Sequence, residues 1–483
     1  MELKRNIHSF LVLFLLMPAW SQACTVGCAM GNATQDGRPL AWKNRDGGES
    51  RPRHFVMYKT GRDPAKRGPS TYSFLGIGPD LDSPKMGLNS AGLALANASL
   101  EAFQTEGWKY SNHQQFKNYI LGQCSTIAEV REAIIAVTGR NADYWPMPIS
   151  LSSAFCDAQG YACHWELGGD VYYEYDPTND NRLRQFRMQF VVRDNDSQSQ
   201  TGHIDNPRRA GARYRKAAVK MRNSAVAGGI SMADMFNIVS RSGSPGFEVP
   251  KDISNKSTIA VMVVHGVNAG EDPRIATMWA ALGNPDYACF VPCWVALEND
   301  ISPRASSNDL DSTLSGASEK LYNSKESKGY DQYINRLIAP VETNIIEAVT
   351  AARAQWFENG FDLEQSRRIH HEACETAWRT MNAMCQGTGR NRNDTPTLTR
   401  IEASSNGLRV DFRCSVSDTG GHITGYSWDF GDGTCSPSAS PVHRYSKGGT
   451  YLVRCRVTDN GGSRNSKWVY LTVKERGAVR ATP

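Results

Sequence analysis

The sequence predicts an α+β protein built in three successive parts, and three changes of pattern along the chain support this division. Between residues 24 and 300, short apolar strands alternate with a few amphipathic helices, as expected for stacked sheets flanked by helices. Between residues 301 and 388, apolar residues recur with the helical period. Between residues 397 and 475, apolar and polar residues alternate, which predicts a small all-β sandwich.

Composition is that of a globular, multidomain protein with no nucleic-acid signature. The chain has 483 residues, and this length exceeds the usual size of one domain. Hydrophobic residues make up 40% of it and charged residues 21%, as is typical of globular proteins. The net charge is +5, and its basic residues are scattered among acidic ones, so no nucleic-acid partner is expected. Phosphate-binding loops, dinucleotide fingerprints and zinc-ligand clusters are missing from the sequence. We therefore expect no cofactor and no metal.

Residues 1–23 have the three parts of a secretory signal: a basic start, an apolar stretch at residues 10–17, and Ser21-Gln22-Ala23 before the cut. The apolar stretch is shorter than the ~20 residues that span a bilayer, and no later segment is long and apolar enough. The sequence thus predicts a secreted, periplasmic or cell-surface protein that begins at Cys24 and has no membrane span. The alternative is a lipoprotein lipidated at Cys24, but the residue three positions earlier, Ser21, is not the usual aliphatic one.

A cysteine at the first position of a chain carries a free α-amino group close to its own thiol, and that amine can act as the base for the thiol. Downstream, Asp36-Gly37 is a strong hairpin turn because both residues tolerate a positive φ. The returning strand would bring Lys43-Asn44-Arg45-Asp46 back beside Cys24. Asp46 is then placed to hold the α-amino group. Asn97, which ends a later apolar strand, is a candidate hydrogen-bond donor to an oxyanion.

Twelve cysteines in an exported chain suggest disulfides, although the sequence does not fix the pairing. If Cys24 is a nucleophile, an odd number remains, and at least one other thiol should be unpaired. The short-loop and strand-to-strand candidates are Cys156 with Cys163, Cys289 with Cys293, Cys374 with Cys385, and Cys414 with Cys455.

The helical part of the chain is expected to be an appendage to the first domain. Apolar residues share one face around Ile334–Val341, where Pro340 should interrupt the helix, and again around Ile345–Trp356 and Ile369–Met384. His370 and His371 lack the spacing of a metal motif, so we expect them on a solvated face.

The last part of the chain resembles a PKD domain. Tyr426-Ser427-Trp428-Asp429-Phe430-Gly431-Asp432-Gly433 matches the signature of that family, and Gly449-Thr450-Tyr451 and Val457-Thr458-Asp459 follow at the expected places. The resemblance implies an immunoglobulin-like sandwich that spaces or adheres. It suggests contact with a polysaccharide or protein surface and brings no catalysis.

The first part resembles the N-terminal-nucleophile hydrolases that include penicillin V acylase, choloylglycine hydrolase and isopenicillin N acyltransferase. Cys24-Thr25 matches the nucleophile, and Asn44-Arg45-Asp46 places Asp46 on the family's active-site aspartate. Ala212-Arg213-Tyr214 resembles the segment with the late active-site arginine, and Gly92–Asn97 resembles the strand leading to an oxyanion asparagine. The family's common arginine corresponds to Lys43, or its role has moved to Arg45. The resemblance implies an αββα sandwich and a linear amide as substrate.

The expected activity is hydrolysis of a carbon–nitrogen amide bond through an acyl-enzyme on Cys24. Cys24, Asp46, Asn97 and Arg213 are the candidate catalytic residues, and Lys43 and Arg45 the candidate substrate-binding residues. An N-acyltransferase or a dipeptidase would use the same site. A non-catalytic surface adhesin is the alternative from another class.

Overall fold

The computed structural model describes residues 24–47, 53–61, 71–80, 84–100, 113–138, 150–168, 171–176, 188–195, 212–242, 253–307, 309–324, 332–385, 396–418, 422–459 and 464–474. The proposed signal, residues 1–23, and most of the polar linker that follows residue 385 lie outside this part of the chain.

The described residues of the first part form thirteen strands. They are β1 (Thr25–Ala29), β2 (Leu40–Asp46), β3 (Phe55–Lys59), β4 (Phe74–Gly78), β5 (Met86–Asn89), β6 (Ala94–Ser99), β7 (Ser150–Cys156), β8 (Ala162–Gly168), β9 (Val171–Tyr175), β10 (Phe190–Arg193), β11 (Thr258–His265), β12 (Thr277–Leu282) and β13 (Phe290–Cys293).

These strands build two antiparallel sheets that stack face to face. The first sheet has six strands in the order β10-β1-β2-β11-β12-β13, and the second has seven in the order β3-β4-β5-β6-β7-β8-β9. Strands β1 and β2 at the centre of the first sheet pack against β6 and β7 of the second. Small and aliphatic side chains such as Cys28, Ala96 and Ala154 fill the layer between them.

Strands β1 and β2 pair as predicted, but residues 30–39 connect them through a 3₁₀ turn at Gly31–Ala33 rather than through a tight two-residue turn. Gly37 has a φ of 75°, a conformation that favours glycine, and Thr25 is paired with Asn44 across the hairpin. This register brings the end of β2 beside Cys24, so the sequence around Asp46 returns to the start of β1.

Eight α-helices accompany the described strands: α1 (His113–Gln123), α2 (Ile127–Thr138), α3 (Ala212–Val226), α4 (Met232–Asp234), α5 (Pro303–Ser306), α6 (Leu314–Asn323), α7 (Gln332–Asn359) and α8 (Leu363–Cys385). A π-helical turn, Met235–Val239, continues α4. Helices α1 and α2 cover the outer face of the second sheet through residues such as Phe116 and Ile134. The helices α3, α7 and α8 pack against strands of the first sheet. The sandwich with helices on both outer faces confirms the predicted αββα architecture.

The helical segment shares one core with the first domain and is not a separate appendage. Arg241, which follows the π-helical turn, donates to both carboxylate oxygens of Glu342 on α7 at 2.7 and 2.8 Å, with both side chains buried. Arg353, also on α7, donates to the carbonyl oxygens of Gly266 and Ile275 at 2.8 Å. A six-stranded sheet is about 29 Å wide at the usual strand spacing, wider than α3 and α4 alone can cover. Helices α7 and α8 extend that layer.

Two local predictions in the helical segment were wrong. Pro340 lies inside α7, which continues through it. His370 is buried rather than solvated: its Nδ1 donates to the Pro292 carbonyl at 2.7 Å, and its Nε2 accepts from the Ser302 amide at 2.9 Å. A histidine can satisfy one donor and one acceptor at once, which periodicity alone does not reveal.

The last part is a separate β-sandwich, as predicted. One sheet holds β14 (Thr397–Asn406), β15 (Arg409–Ser417) and β18 (Val442–Arg444). The other holds β16 (Ile423–Asp429), β17 (Cys435–Ser436), β19 (Gly449–Asp459) and β20 (Arg464–Val473). Their inward side chains, including Phe412 and Trp428, form a core of their own. None of the helices in the described ranges is long and apolar enough to cross a membrane.

No disulfide joins any of the twelve cysteines in this structure, and the geometry excludes three of the suggested disulfides. Cys156 faces the layer between the sheets, whereas Cys163 faces the helices. Cys289 immediately precedes β13 and Cys293 ends it, so about 13 Å of extended chain separates them. Cys374 and Cys385 lie about 16 Å apart along α8. Cys414 and Cys455, in contrast, face each other across the last sandwich.

Candidate active site

Cys24 lies at the start of β1, in the layer between the two sheets. Its side chain is buried against Val26 and Ala98, and Ala98 belongs to β6 of the opposite sheet. Across the hairpin, the Nη1 atom of Arg45 lies 3.6 Å from the Cys24 sulfur. The sulfur therefore faces the interior of the sandwich and has a guanidinium group as its immediate polar neighbour.

The charges around the thiol favour its ionised form. Burial raises the pKa of the Cys24 thiol, but the positive charges of Lys43 and Arg45 lower it, and the net pKa is below the ordinary value. Burial lowers the pKa of the Lys43 ammonium to about 7, although the charge of Cys24 acts in the opposite direction. A thiolate is the nucleophilic form of cysteine, so this environment suits a reactive cysteine.

Asp46 is held by three side chains on the other face of the first sheet. Its Oδ2 accepts from Arg213 Nη1 at 2.7 Å and from Asn255 Nδ2 at 3.1 Å, and its Oδ1 accepts from Thr258 Oγ1 at 2.7 Å. Burial raises the pKa of the Asp46 carboxyl above its ordinary value, although the Arg213 charge and these hydrogen bonds act in the opposite direction. The structure thus brings together Asp46 and Arg213, which are 167 residues apart in sequence.

Asn255 and Thr258 were missed by the sequence reasoning. Asn255 is itself fixed, because its Oδ1 accepts from the Ser257 backbone N–H at 2.7 Å and its own backbone N–H donates to Thr258 Oγ1 at 3.0 Å. Thr258 begins β11 directly opposite Asp46. Asn255 and Thr258 reach Asp46 only because β11 pairs with β2 in this register, and the sequence of either strand alone does not predict that register.

Asn97 does not face Cys24, which corrects the role expected for it. Successive side chains of a strand point to opposite faces of the sheet. In β6, Ala96 and Ala98 face the layer between the sheets, whereas Leu95 packs with the helices of the outer layer. Asn97 lies on the same face as Leu95, so its side chain points away from the Cys24 sulfur. Its backbone carbonyl instead accepts a hydrogen bond from Lys43 Nζ.

Asn195 is the asparagine that the structure places near Cys24. The register of β1 and β10 pairs Val26 with Arg193, so the residue two before Val26 and the residue two after Arg193 lie at the same end of this strand pair. Asn195 is buried, its Nδ2 donates to the Ser99 carbonyl at 2.5 Å, and its Oδ1 has no hydrogen-bond partner among the described residues. The signal in the sequence was the apolar strand Phe190-Val191-Val192 that ends near an asparagine, the same signal that selected Asn97.

The arrangement contains a buried thiol, cations that stabilise its ionised form, an anchored carboxylate and a buried amide. Within the described ranges, no three His, Cys, Asp or Glu side chains converge as a metal site would require. The chemistry available from these residues is nucleophilic attack by the thiol on a polarised carbonyl group.

Comparison with known proteins identifies the last domain. Residues 392–473 match the family model of the PKD domain. The chain is 36% identical over 95 residues to collagenase ColQ1 of Bacillus cereus, covering 19% of this chain and 10% of the collagenase. It is 39% identical over 82 residues to the pre-pro-metalloprotease PrtV of Vibrio cholerae, covering 17% of this chain and 9% of PrtV. The chain thus spans about a tenth of the length of these curated relatives.

Solved structures resemble the larger, first part. A conjugated bile acid hydrolase from Clostridium perfringens matches at 15% identity with a TM-score of 0.38, covering 57% of this chain and 93% of that one. Penicillin V acylase from Agrobacterium tumefaciens matches at 17% identity with a TM-score of 0.34, covering 56% of this chain and 86% of that one. The family model confirms the predicted resemblance of the last part to PKD domains. The first part is similar to these two hydrolases over most of their length.

Proposed function

We propose that the protein is an exported amidase in which Cys24, made the first residue by removal of residues 1–23, attacks a linear carbon–nitrogen amide bond. The observation that carries the proposal is the position of the Cys24 sulfur, 3.6 Å from Arg45 at the strand end where Asp46 is anchored by Arg213. A structural cysteine would need neither the neighbouring cations nor the anchored carboxylate.

The α-amino group of Cys24 serves as the base in this proposal. Its reference pKa is about 7.7–8.0 and that of a free thiol about 8.5, so a useful fraction of the amine is unprotonated near neutral pH. Since Lys43 and Arg45 lower the pKa of the Cys24 thiol, proton transfer to the amine is easier than for an isolated pair. The thiolate attacks the amide carbonyl, the ammonium protonates the leaving amine, and water releases the acid from the acyl-enzyme.

Asn195 is proposed to stabilise the oxyanion. Its Nδ2 carries two hydrogens, and one of them is used by the Ser99 carbonyl at 2.5 Å. The second is available to the carbonyl oxygen of a substrate attacked by Cys24, where negative charge develops in the transition state.

Asp46 is proposed to orient the α-amine. It follows Arg45 on β2, and its backbone N–H donates a hydrogen bond toward the Cys24 sulfur. Arg213, Asn255 and Thr258 hold its carboxylate in place. This anchoring fixes the carboxylate at the strand end beside Cys24, and the proposal requires it there as the counter-charge of a protonated amine.

Export and a surface partner complete the proposal. The PKD domain is proposed to contact a polysaccharide or protein surface outside the cell, while the first domain acts on a small amide. Cosedimentation of the purified protein with insoluble polysaccharides and with collagen fibres tests this, and a protein that remains in the supernatant with all of them contradicts the adhesive role.

The activity is tested by incubating the mature protein with a panel of amides and recording intact mass. We expect an acyl adduct on Cys24 and release of the amine, and both should disappear in Cys24→Ala. Cys28→Ala is the matched control, because Cys28 lies on β1, which Cys24 directly precedes, and is also buried; it should retain turnover. Turnover by Cys24→Ala, or its loss in both variants with the fold intact, contradicts the proposal.

A further inference from the structure

A cavity of about 380 Å³ lies at the end of the sandwich opposite Cys24, and its volume is typical of small-molecule sites. Ala98, which packs against Cys24, lies two residues beyond Ala96, and Ala96 pairs with Met86 at the start of β5. Ser90, which lines the cavity, directly follows the end of β5. Six positions of extended strand, about 20 Å, therefore separate Ser90 from the level of Ala98. The cavity is distinct from the candidate active site.

Both sheets and the helical layer contribute walls to this cavity. Tyr58 lies on β3 and Ser90 follows β5, both in the second sheet. Arg274 belongs to the 3₁₀ turn that precedes β12 of the first sheet, and Phe361 lies in the turn between α7 and α8. Val295, after β13, adds a buried apolar surface. Ligand sites are common where one part of a protein meets another in this way.

Glu298 also lines the cavity, and its backbone is strained. Its φ is 53° and its ψ is −122°, and no other non-glycine residue of the described ranges has a positive φ. This conformation favours glycine, so a residue with a side chain lowers stability at this position. Strained residues of this kind cluster at functional sites. A carboxylate at position 298 therefore points to a ligand rather than to a role in stability.

The polar groups of the cavity have unused hydrogen-bonding capacity. The Glu298 carboxylate and the hydroxyl groups of Ser90 and Tyr58 have no hydrogen-bond or ion-pair partner within the part of the chain that the structure describes. Arg274 binds the Asp272 carboxylate through Nε and Nη2, which leaves both hydrogens of its Nη1 available. Its side chain is 57% exposed. The cavity thus presents a strong donor, a strong acceptor and two hydroxyl groups to an occupant.

These groups together favour a neutral ligand that carries several hydroxyl groups. A small cation would face the Arg274 guanidinium, and a small anion would face the Glu298 carboxylate. A zwitterion would bring its carboxylate beside that of Asp272, which already neutralises Arg274. Hydroxyl groups both donate and accept hydrogen bonds, so they can use every polar group of the cavity. Phe361 supplies an aromatic wall for the apolar face of a sugar ring.

We propose that this cavity binds a neutral sugar ring. Glu298 and Arg274 form hydrogen bonds with its hydroxyl groups, and Phe361 packs against its apolar face. The sugar is either a free monosaccharide or the terminal residue of a polysaccharide, since both present the same hydroxyl groups. The site is separate from Cys24 and from the PKD domain. It gives the first domain a means of holding a carbohydrate whatever bond Cys24 cleaves.

Saturation-transfer NMR on the full mature chain tests this proposal. Glucose, galactose, mannose and N-acetylglucosamine are titrated as free sugars, and glycine is the zwitterionic probe. We expect saturable binding of at least one neutral sugar. A trisaccharide that ends in the preferred sugar then distinguishes the sources, because tighter binding identifies a polysaccharide end and equal or weaker binding a free sugar. Binding of none of the four sugars, or of glycine in their place, overturns the proposal.

Glu298→Gln locates the bound sugar, because it removes the charge with little change in shape. The affinity for the sugar should fall about 10-fold with the loss of charge-assisted hydrogen bonds. Glu347→Gln is the matched control, since Glu347 is exposed on α7 and does not line the cavity, and it should bind like the unaltered protein. Undiminished binding by Glu298→Gln would place the sugar elsewhere, such as on the PKD domain, and overturns the proposal.

Glu298→Gly separates a ligand-binding role from a structural one. Glycine adopts the backbone conformation of residue 298 without strain, so the urea concentration at the midpoint of unfolding should rise. The same variant lacks the carboxylate and should lose at least as much sugar affinity as Glu298→Gln. A Glu298→Gly variant that binds the sugar as tightly as the unaltered protein overturns the proposal, whatever its stability.

Discussion

Replacing Asn195 by alanine tests the position of the oxyanion donor, with Asn97→Ala as the matched comparison. Both residues are buried asparagines, but Asn97 lies within β6, whereas Asn195 lies at the end of the strand pair that holds Cys24. Asn195 has one amide hydrogen left after its bond to Ser99. Loss of a single oxyanion donor typically lowers kcat by about 10²–10³-fold, or about 2.7–4 kcal/mol in barrier.

The assay is steady-state hydrolysis of the best amide found, at saturating substrate, together with alkylation of Cys24 by iodoacetamide. Asn195→Ala should lose kcat with little change in KM. It should keep the alkylation rate, because displacement of iodide forms no oxyanion. Asn97→Ala should keep kcat within a few-fold. If kcat falls as much in Asn97→Ala as in Asn195→Ala while both variants remain folded, the claim that Asn195 rather than Asn97 is the oxyanion donor is refuted.

Three further predictions concern stability. Glu342→Gln should lower the free energy of unfolding, measured with urea, by about 3–5 kcal/mol, because the buried charge of Arg241 loses its counter-charge. Burial lowers the pKa of His370 to about 4 from 6.5, so its stabilising effect is complete above pH 6.5 and is lost as the pH falls toward 4. The free energy of unfolding should fall by roughly 3 kcal/mol over this pH range. Urea unfolding at several pH values should show this fall in His371→Gln but not in His370→Gln. Oxidised glutathione should join Cys414 to Cys455 in a disulfide. The mass should fall by two hydrogens, and the free energy of unfolding should rise by about 2–4 kcal/mol. Reaction at the exposed Cys435 in place of this disulfide would contradict the pairing.

The parts of the site that are local in sequence could be predicted, and the parts that depend on strand register could not. The predicted pairing of β1 with β2 brings Asp46 to the strand end beside Cys24, whereas the contact of Asp46 with Arg213 is seen only in the structure. Asn97 and Asn195 have nearly the same local pattern, so only strand pairing and the alternation of faces separates them.

Most of the fold could be predicted from the sequence, because the period of the apolar residues changes where one kind of architecture gives way to another. The PKD signature and the two-residue period predicted the last sandwich, and the alternation of strands and helices predicted the layered domain. The boundary near residue 300 was misleading, because helical periodicity shows that α7 has an apolar face but not what covers it. That face and the buried Arg353 join α7 to the first domain.

The central claim is that the sulfur and the α-amine of one residue act as a pair. The most direct measurement compares kcat/KM of the chain that begins at Cys24 with that of a chain carrying one additional alanine before it, with thiol content confirmed by titration. The account predicts turnover by the first form and loss of turnover by the second, although the thiol is intact in both. Equal activity of the extended form would contradict it.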